Sequence, residues 1–540
     1  MLDLLLIPLA IAYLLVVGAL FVYGINFFYM IYLTWRSRRQ AAVDIPELTT
    51  WPQVTVQLPI YNELYVAERV IDAAANLDYP IDKLQIQVLD DSTDETVQIV
   101  KTAVSRHQSR GINIQHICRT DRSGYKAGAL QAGTRSATGD FIAMFDADFV
   151  PTPDFLRRVL PQFRPEDAFV QARWGHLNRS YSLLTALQGI SIDAHFMVEQ
   201  YGRFHGGYFF NFNGTAGIWR RTALEDAGGW QADTLTEDLD LSYRAFLRGW
   251  QAQYVRDVVV PAELPVSMVG FRRQQHRWSR GSLECALKLG PQVWQTDLPL
   301  IHKIEASLHL TGYFVHLLLF ALSLLYPAVL FVSQRYAQVI TLFGIAYLFN
   351  LTALAPTCFF VTGQRTQGRG WWRSLPRILF VSVVGTGLMV NTARAVWQII
   401  THKQTAFERT AKFGIERRKQ SWKQKRYQLK LDPIVFWELG FAGINLGTVL
   451  YAIALQNWAI VFYAGIFLVG LLFVSGVTIS QAISVAWQQR QATSPTAASA
   501  ANGLAPIPMH SSQTNQSLPG PLMPPSPPLP IPSADRAGAD

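Results

Sequence analysis

Hydrophobic positions along this chain follow two different patterns. From Leu4 to Leu33 they form one run with no charged residue, longer than the roughly 20 residues a spanning helix needs. Runs of similar length return at Leu308–Val332, Val339–Val361, Leu431–Leu455 and Trp458–Ala486. Residues 50–300 read otherwise. Short apolar runs at Val54–Ile60, Gln85–Leu89 and Phe141–Phe145 alternate there with helix-period stretches. That alternation predicts an α/β domain on a mainly parallel sheet. Residues 491–540 hold 11 of the 28 prolines, with Ser, Ala and Gly, and cannot bury a core.

Charge orients these segments. Arg36, Arg38 and Arg39 follow the first run at once, which puts the next domain in the cytoplasm by the positive-inside bias. The only early charge is Asp3, unlike the basic start of a signal peptide, so the run reads as an uncleaved anchor. Ile378–Ile400 is harder, because Arg394 interrupts it and Gly385 and Gly387 weaken it. Arg365, Arg369, Arg373 and Arg377 precede it, and ten Lys or Arg lie between Lys403 and Lys430. Two basic flanks favour a helix lying in the interface. The expectation is one plus four spans with the C-terminus inside, with six spans as the alternative. The boundaries are an anchor (1–40), an α/β domain (50–300), a helix pair (301–362), an interfacial helix with a basic loop (363–430), a second pair (431–488) and a Pro-rich tail (489–540).

Half of the 540 residues are hydrophobic and the net charge is +9. The basic residues cluster beside apolar segments, not in a groove interleaved with aromatics, which argues for a bilayer as partner and against nucleic acid. Cys118, Cys285 and Cys358 are far apart and lack metal-ligand spacing, so they read as reduced and structural.

Four polar clusters lie in the α/β stretch. Asp90-Asp91 follows one strand-like run, and can either cap the next helix or place a carboxylate on a nucleoside. Asp146-Ala147-Asp148 ends another, as a polar loop cap or as two carboxylates facing a hard cation. Thr236-Glu237-Asp238 fits a helix N-terminus, or carries a general base for an acceptor hydroxyl. Gln274-Gln275-His276-Arg277-Trp278 is either a basic face at a membrane or a diphosphate clamp beside an indole that stacks on a sugar. Lys126, among small residues, either starts a helix or supplies positive charge. Ligands in open α/β sheets bind beyond the carboxyl ends of strands, where two of these clusters fall.

In this order the D, DxD, TED and QxxRW elements resemble the processive family 2 glycosyltransferases, which include cellulose, chitin and hyaluronan synthases. The closer resemblance is to the plant cellulose-synthase-like A and C groups, glucomannan 4-β-mannosyltransferases and β-1,4-glucan synthases. It is carried by residues 56–63, QVLDDSTDET (87–96), GYKAGAL (124–130), FDADF (145–149), QARW (171–174), FNGTAGIWR (212–220) and QQHRWS (274–279). Phe407-Glu408-Arg409-Thr410-Ala411-Lys412 is similar to the FxVTxK gating loop of cellulose synthases, with Arg409 in place of Val.

The resemblance implies a GT-A, Rossmann-like cytoplasmic domain joined to a helical multi-pass membrane region. It implies an inverting hexosyltransferase that extends a β-linked polysaccharide from UDP-glucose or GDP-mannose with Mg²⁺ or Mn²⁺. Asp238 would be the base. Tyr61, Glu63, Asp90, Asp91, Lys126 and Asp146 would bind the nucleotide sugar, and Asp148 the metal. Phe212, Asn213, Gly214, Thr215, Glu237, Gln274, Arg277 and Trp278 would face the acceptor or the diphosphate. Phe407, Thr410 and Lys412 would belong to the gating loop. A multi-pass protein of the plasma or inner membrane, or of the Golgi in a eukaryote, is expected, with the glycan leaving through the spans. A non-processive enzyme that glycosylates diacylglycerol or ceramide is the alternative. A transporter with a vestigial soluble domain would need eroded Asp clusters, and all are intact.

Overall fold

The computed structural model describes residues 2–37, 50–335, 350–403 and 409–492. Residues 1–488 form one unit and residues 489–540 a second, of which only the last turn of a helix is described. Phe407, much of the expected Val339–Val361 span and the Pro-rich tail lie outside the described residues.

Seven strands make one sheet: Val54–Ile60 (β1), Leu84–Asp90 (β2), Ile114–Cys118 (β3), Phe141–Met144 (β4), Asp167–His176 (β5), Gly217–Arg220 (β6) and Gln251–Ala262 (β7). Their order is β3-β2-β1-β4-β6-β5-β7, and only β6 runs antiparallel to its neighbours. The mainly parallel sheet follows from the βα alternation read in the sequence.

Alternation along β1 sorts its side chains between two layers. Val54, Val56, Leu58 and Ile60 face one apolar core, shared with Ile86 and Val88 of β2. Thr55 and Gln57 face the other way and are fully buried. Burying such groups is tolerable only when they are bonded. Thr55 donates to Gln85 Oε1 at 2.8 Å, and Gln57 Nε2 to Gln87 Oε1 at 3.0 Å. A second core, around Phe169, Phe212 and Trp219, fills the opposite layer. Both faces of the sheet are therefore covered, as parallel sheets require.

Five described segments are long and apolar enough to cross a membrane: Pro8–Ser37, Phe314–Gln334, Trp371–Ile400, Ile434–Ala454 and Trp458–Gln489. The stretch expected to lie in the interface is thus part of two abutting helices, Trp371–Gly387 and Met389–Ile400, that together have spanning length. Gly387 sits at a close crossing: a Cβ there would lie 2.3 Å from Gly470 O on the last helix. Small residues at such crossings let membrane helices approach closely. Arg394, the charge inside this stretch, pairs with Asp432 at 2.8 Å.

Candidate active site

The carboxyl ends of the parallel strands meet at one cleft. Tyr61 and Glu63 follow β1, Asp91 follows β2, and Asp146 and Asp148 follow β4. Because β6 runs the other way, the turn before it, Asn213-Gly214-Thr215, arrives at the same edge. The backbone fixes it there. Ala216 N donates to Met144 O at 2.8 Å, and Asp146 N to Thr215 Oγ1 at 2.9 Å.

Lys126 enters from the first turn of the Tyr125–Ser136 helix, which begins on two positive-φ residues, Gly124 and Tyr125. Its Nζ lies 2.7 Å from Asp146 Oδ1, 2.9 Å from Gly214 O and 3.7 Å from Glu237 Oε1. Burial works against its charge, but Asp146 and Glu237 outweigh it and hold the pKa above the usual lysine value.

Glu237 and Asp238 open the Glu237–Leu247 helix, with Thr236 at its N-cap. Gly214 has φ +75°, and a Cβ there would lie 2.9 Å from Asp238 Oδ2 and 3.3 Å from Lys126 Nζ. Glycine alone allows both the conformation and the approach. Burial first, and then the charge of Glu237, push Asp238 up to about 7. A carboxylate poised there suits general base work near neutral pH.

Gln274, Arg277 and Trp278 lie at i, i+3 and i+4 of the Met268–Gln295 helix, so they share one face, which lines the cleft. The helix packs directly on the acidic turn: a Cβ on Gly281 would lie 2.6 Å from Thr236 Oγ1. Trp278 stands 6.5 Å from Trp174, ring to ring, forming an aromatic wall.

The segment after residue 408 reaches into the same cleft. Lys412 Nζ donates to Asp148 Oδ2 and to Glu263 O, both at 2.7 Å, and Arg409 pairs with Glu63 at 2.9 Å. Glu263 holds this segment through Phe413 N and Gly414 N, at 3.0 and 2.8 Å. Burial pushes Glu63 up to about 8, although Arg409 opposes it. About 170 Å³ of the cleft stays free. The residues fit a hard divalent cation: Asp146 and Asp148 offer carboxylate oxygens, and Asp148 already faces one positive charge, the Lys412 ammonium.

Fifteen of the expected residues line this cleft: Tyr61, Glu63, Asp91, Lys126, Asp146, Asp148, Asn213, Gly214, Glu237, Asp238, Gln274, Arg277, Trp278, Thr410 and Lys412. Three others do not. Asp90 is buried, with one oxygen on Ser92 N and the other 2.9 Å from His116 Nε2, so it shapes the turn after β2. Phe212 is fully buried in the second core. Thr215 is fully buried and braces Asp146 from behind. Arg122, His176 and Glu263 line the cleft without having been singled out, and Trp174 and Arg409, noted only within motifs, line it too. Arg122 stacks on the Tyr61 ring, 3.3 Å from its centroid. Glu263 did carry a signal, being one acid in the apolar run from Val258 to Val266.

Residues 52–281 match the family model described as Glycosyltransferase like family 2. Among curated proteins, glucomannan 4-beta-mannosyltransferase 2 of Arabidopsis thaliana is 47% identical over 251 residues, 45% of this chain and 47% of that protein. Glucomannan 4-beta-mannosyltransferase 1 of Oryza sativa subsp. japonica is 41% identical over 304 residues, 54% of this chain and 58% of that protein. The chain thus spans about half the length of the curated relatives it matches. Among solved structures, a mannosyltransferase from Pyrobaculum calidifontis, in complex with GDP-Man and Mn²⁺, superposes with a TM-score of 0.51 at 21% identity. It covers 73% of this chain and 100% of its own, and the likeness is one of fold. Residues 52–281 are thus similar to family 2 glycosyltransferases in sequence, and they carry a sheet like that of the solved mannosyltransferase, with the sequence clusters gathered at one cleft.

Proposed function

We propose that this chain is a membrane-embedded inverting glycosyltransferase that moves a hexose from a nucleotide sugar onto a β-linked polysaccharide of the mannan or glucan type. The observation that carries the reading is the meeting of Asp238, Lys126, Asp146 and the Gly214 turn in one cleft, under the face of Gln274, Arg277 and Trp278. The names of the relatives favour mannose as the sugar and a 4-β linkage.

In this mechanism Asp238 accepts the proton of an acceptor hydroxyl. The hydroxyl oxygen forms a bond to the anomeric carbon as the bond from that carbon to the diphosphate breaks. The diphosphate leaves with the bonding pair. A single displacement turns an α-linked donor into a β-linked product, by the stereochemistry that separates inverting from retaining glycosidases. Lys126 and Arg277 meet the charge that grows on the leaving group. Trp278 and Trp174 offer flat apolar faces for the terminal acceptor sugar. A divalent cation, Mg²⁺ or Mn²⁺, held by Asp146 and Asp148, supplies charge neutralisation to the diphosphate when bound. A nucleotide sugar needs a pocket of several hundred cubic ångströms, roughly 300 or more, so Arg409 and Lys412 have to shift to admit it. The Arg36, Arg38 and Arg39 cluster after the first apolar segment favours a cytoplasmic catalytic domain.

Inside-out vesicles carrying the protein, given labelled GDP-mannose or UDP-glucose with either metal, test this reading beside an Asp238→Asn control. Label in an ethanol-insoluble pellet, released by β-1,4-mannanase and absent from the control, is the expected result. Label that partitions into organic solvent would mean a lipid acceptor and would sink the polymer reading.

A further inference from the structure

A second cavity of about 550 Å³ lies next to the catalytic cleft, sharing Gly175 and His176 as a wall. Four arginines line it: Arg173, Arg179, Arg256 and Arg369. Only two carboxylates, Asp193 and Asp257, accompany them.

Asp193 is fully engaged. Its Oδ2 accepts from Arg179, from Arg369 at 2.5 Å and from Gln364 at 3.2 Å, and its Oδ1 lies 3.2 Å from His176. Burial opposes ionisation, but the hydrogen bond to His176 and then the charges of Arg179 and Arg369 hold the Asp193 carboxyl far below the usual range. Asp257 points outward, 85% exposed and 3.7 Å from Arg256. Arg173 bonds only neutral acceptors among the described residues, the Arg256 carbonyl at 2.9 Å and Gln367 Oε1 at 3.2 Å. The cavity therefore carries two guanidinium charges beyond its acids, one of them with no carboxylate partner among the described residues.

The backbone builds this arrangement. The β5–β7 register jumps from Ala172↔Val255 to Arg173↔Val259, which leaves residues 256–258 outside the ladder as a bulge. Bulges re-aim side chains. Here the bulge carries Arg256 and Asp257 to the cavity, and the Tyr201 ring, 4.2 Å from the Arg256 guanidinium, holds it in place. The far rim is the turn of Gln367 and Arg369 that leads into the apolar Trp371–Ile400 segment. Trp371 and Trp372 follow that rim, 37% and 61% exposed. Tryptophans at the end of a membrane-length segment mark the headgroup level.

We propose that this cavity is a binding site for a phosphate-bearing anion, separate from the donor site. Arginine forks match phosphate oxygens bidentately, and this cavity presents Arg173 and Arg256 beside a rim cation, Arg369. The phosphate can belong to an anionic phospholipid headgroup or to a soluble phosphate.

The test uses the full-length protein and two probes. In one arm, protein released from nanodiscs of phosphatidylcholine with phosphatidic acid is examined by native mass spectrometry for retained anionic lipid. In the other, inorganic phosphate is titrated calorimetrically into detergent-solubilised protein. In whichever arm binding occurs, Arg256→Gln and Arg369→Gln should each weaken it about tenfold, as loss of one charge-assisted contact does. Asp257→Asn removes an exposed opposing charge without touching the fold, and should tighten binding about threefold. That pattern with phosphatidic acid alone assigns the site to a headgroup, and the same pattern with inorganic phosphate assigns it to a soluble ligand. Binding by neither probe, or binding that all three substitutions leave unchanged, overturns the proposal.

Discussion

Lys412 Nζ lies 2.7 Å from Asp148 Oδ2, across 264 positions of sequence. Both side chains are nearly out of solvent, 12% and 7% exposed. The carboxylate proposed to hold a divalent cation is thus already paired with a cation of the chain itself. Lysine and a metal bound as proposed would compete for the same oxygen, so Lys412→Gln should tighten Mn²⁺ binding about tenfold, the scale of one charge-assisted hydrogen bond. Asp148→Asn should abolish it. Titration of the solubilised protein, read by the electron paramagnetic resonance of free Mn²⁺, measures both. Unchanged affinity in Lys412→Gln would separate Lys412 from the cation's position.

As the proposed base, Asp238 would work only when ionised. Its pKa near 7 is well above the ordinary aspartate value, chiefly through burial, and Glu237 adds to the rise. Activity should therefore be low at pH 5 to 6 and climb through about 7. Glu237→Gln removes the like charge, so the rising limb should move down by about one unit, the change expected from losing one close charge. The sign for stability is the opposite. A carboxyl whose folded pKa is raised adds stability that is complete below its unfolded pKa and lost as pH rises through the folded value. Asp238 and Glu63 should both make the protein less stable at pH 8.5 than at pH 5. A pH–rate profile of kcat/KM that Glu237→Gln leaves in place would remove the like-charge cause.

Gly214 meets two demands at once, a φ of +75° and a neighbour, Asp238 Oδ2, 2.9 Å from where a Cβ would sit. Alanine in that conformation costs about 1 kcal/mol, which lowers Tm by a few degrees. The displaced base should cost far more in rate, about 100-fold in kcat, as misplacement of a reacting group does. Melting curves and steady-state rates on Gly214→Ala separate the two effects. A large Tm loss with rate preserved in the folded fraction would mean that the turn supports the fold and not the base.

Much of this site was legible because its chemistry is local. Asp146 and Asp148 end a strand-like run, and Gln274, Arg277 and Trp278 fall at helical spacing, so their placement needed no partner. What escaped the sequence depends on non-local contacts. Nothing in the letters marks β6 as antiparallel, yet that reversal brings the Asn213-Gly214-Thr215 turn to the cleft. Phe212 and Thr215 sit beside cleft residues in sequence, but their side chains turn into the core and behind Asp146. Asp90 and Asp91 are adjacent, and the strand pleat sends them to different partners, His116 and Arg119. Arg409 stood out only as a departure from a pattern, and its pairing with Glu63 gives the charge a place.

The helix bearing Gln274, Arg277 and Trp278 is tied to the membrane segments two residues before Gln274. Arg272 Nη2 donates to Glu438 Oε2 at 2.9 Å and to Thr478 Oγ1 at 3.1 Å, and Ser475 donates to the same Glu438 oxygen at 3.0 Å. Both charged side chains are fully buried. Removing one partner leaves an uncompensated buried charge, so Glu438→Gln or Arg272→Met alone should destabilise by about 3–5 kcal/mol. The pair is incompletely bonded even when intact: Arg272 Nε and Nη1 and Glu438 Oε1 lack hydrogen-bond partners among the described residues. Replacing both with apolar residues of similar volume should therefore recover most of the loss. A double-mutant cycle of Arg272→Met and Glu438→Leu, followed by thermal unfolding in detergent, measures the coupling. Losses that simply add would show that the two charges act independently. A rescued double variant with normal kcat and a raised KM would show that the ion pair sets the tilt of the Arg277 face against the cleft, beyond holding the helices together.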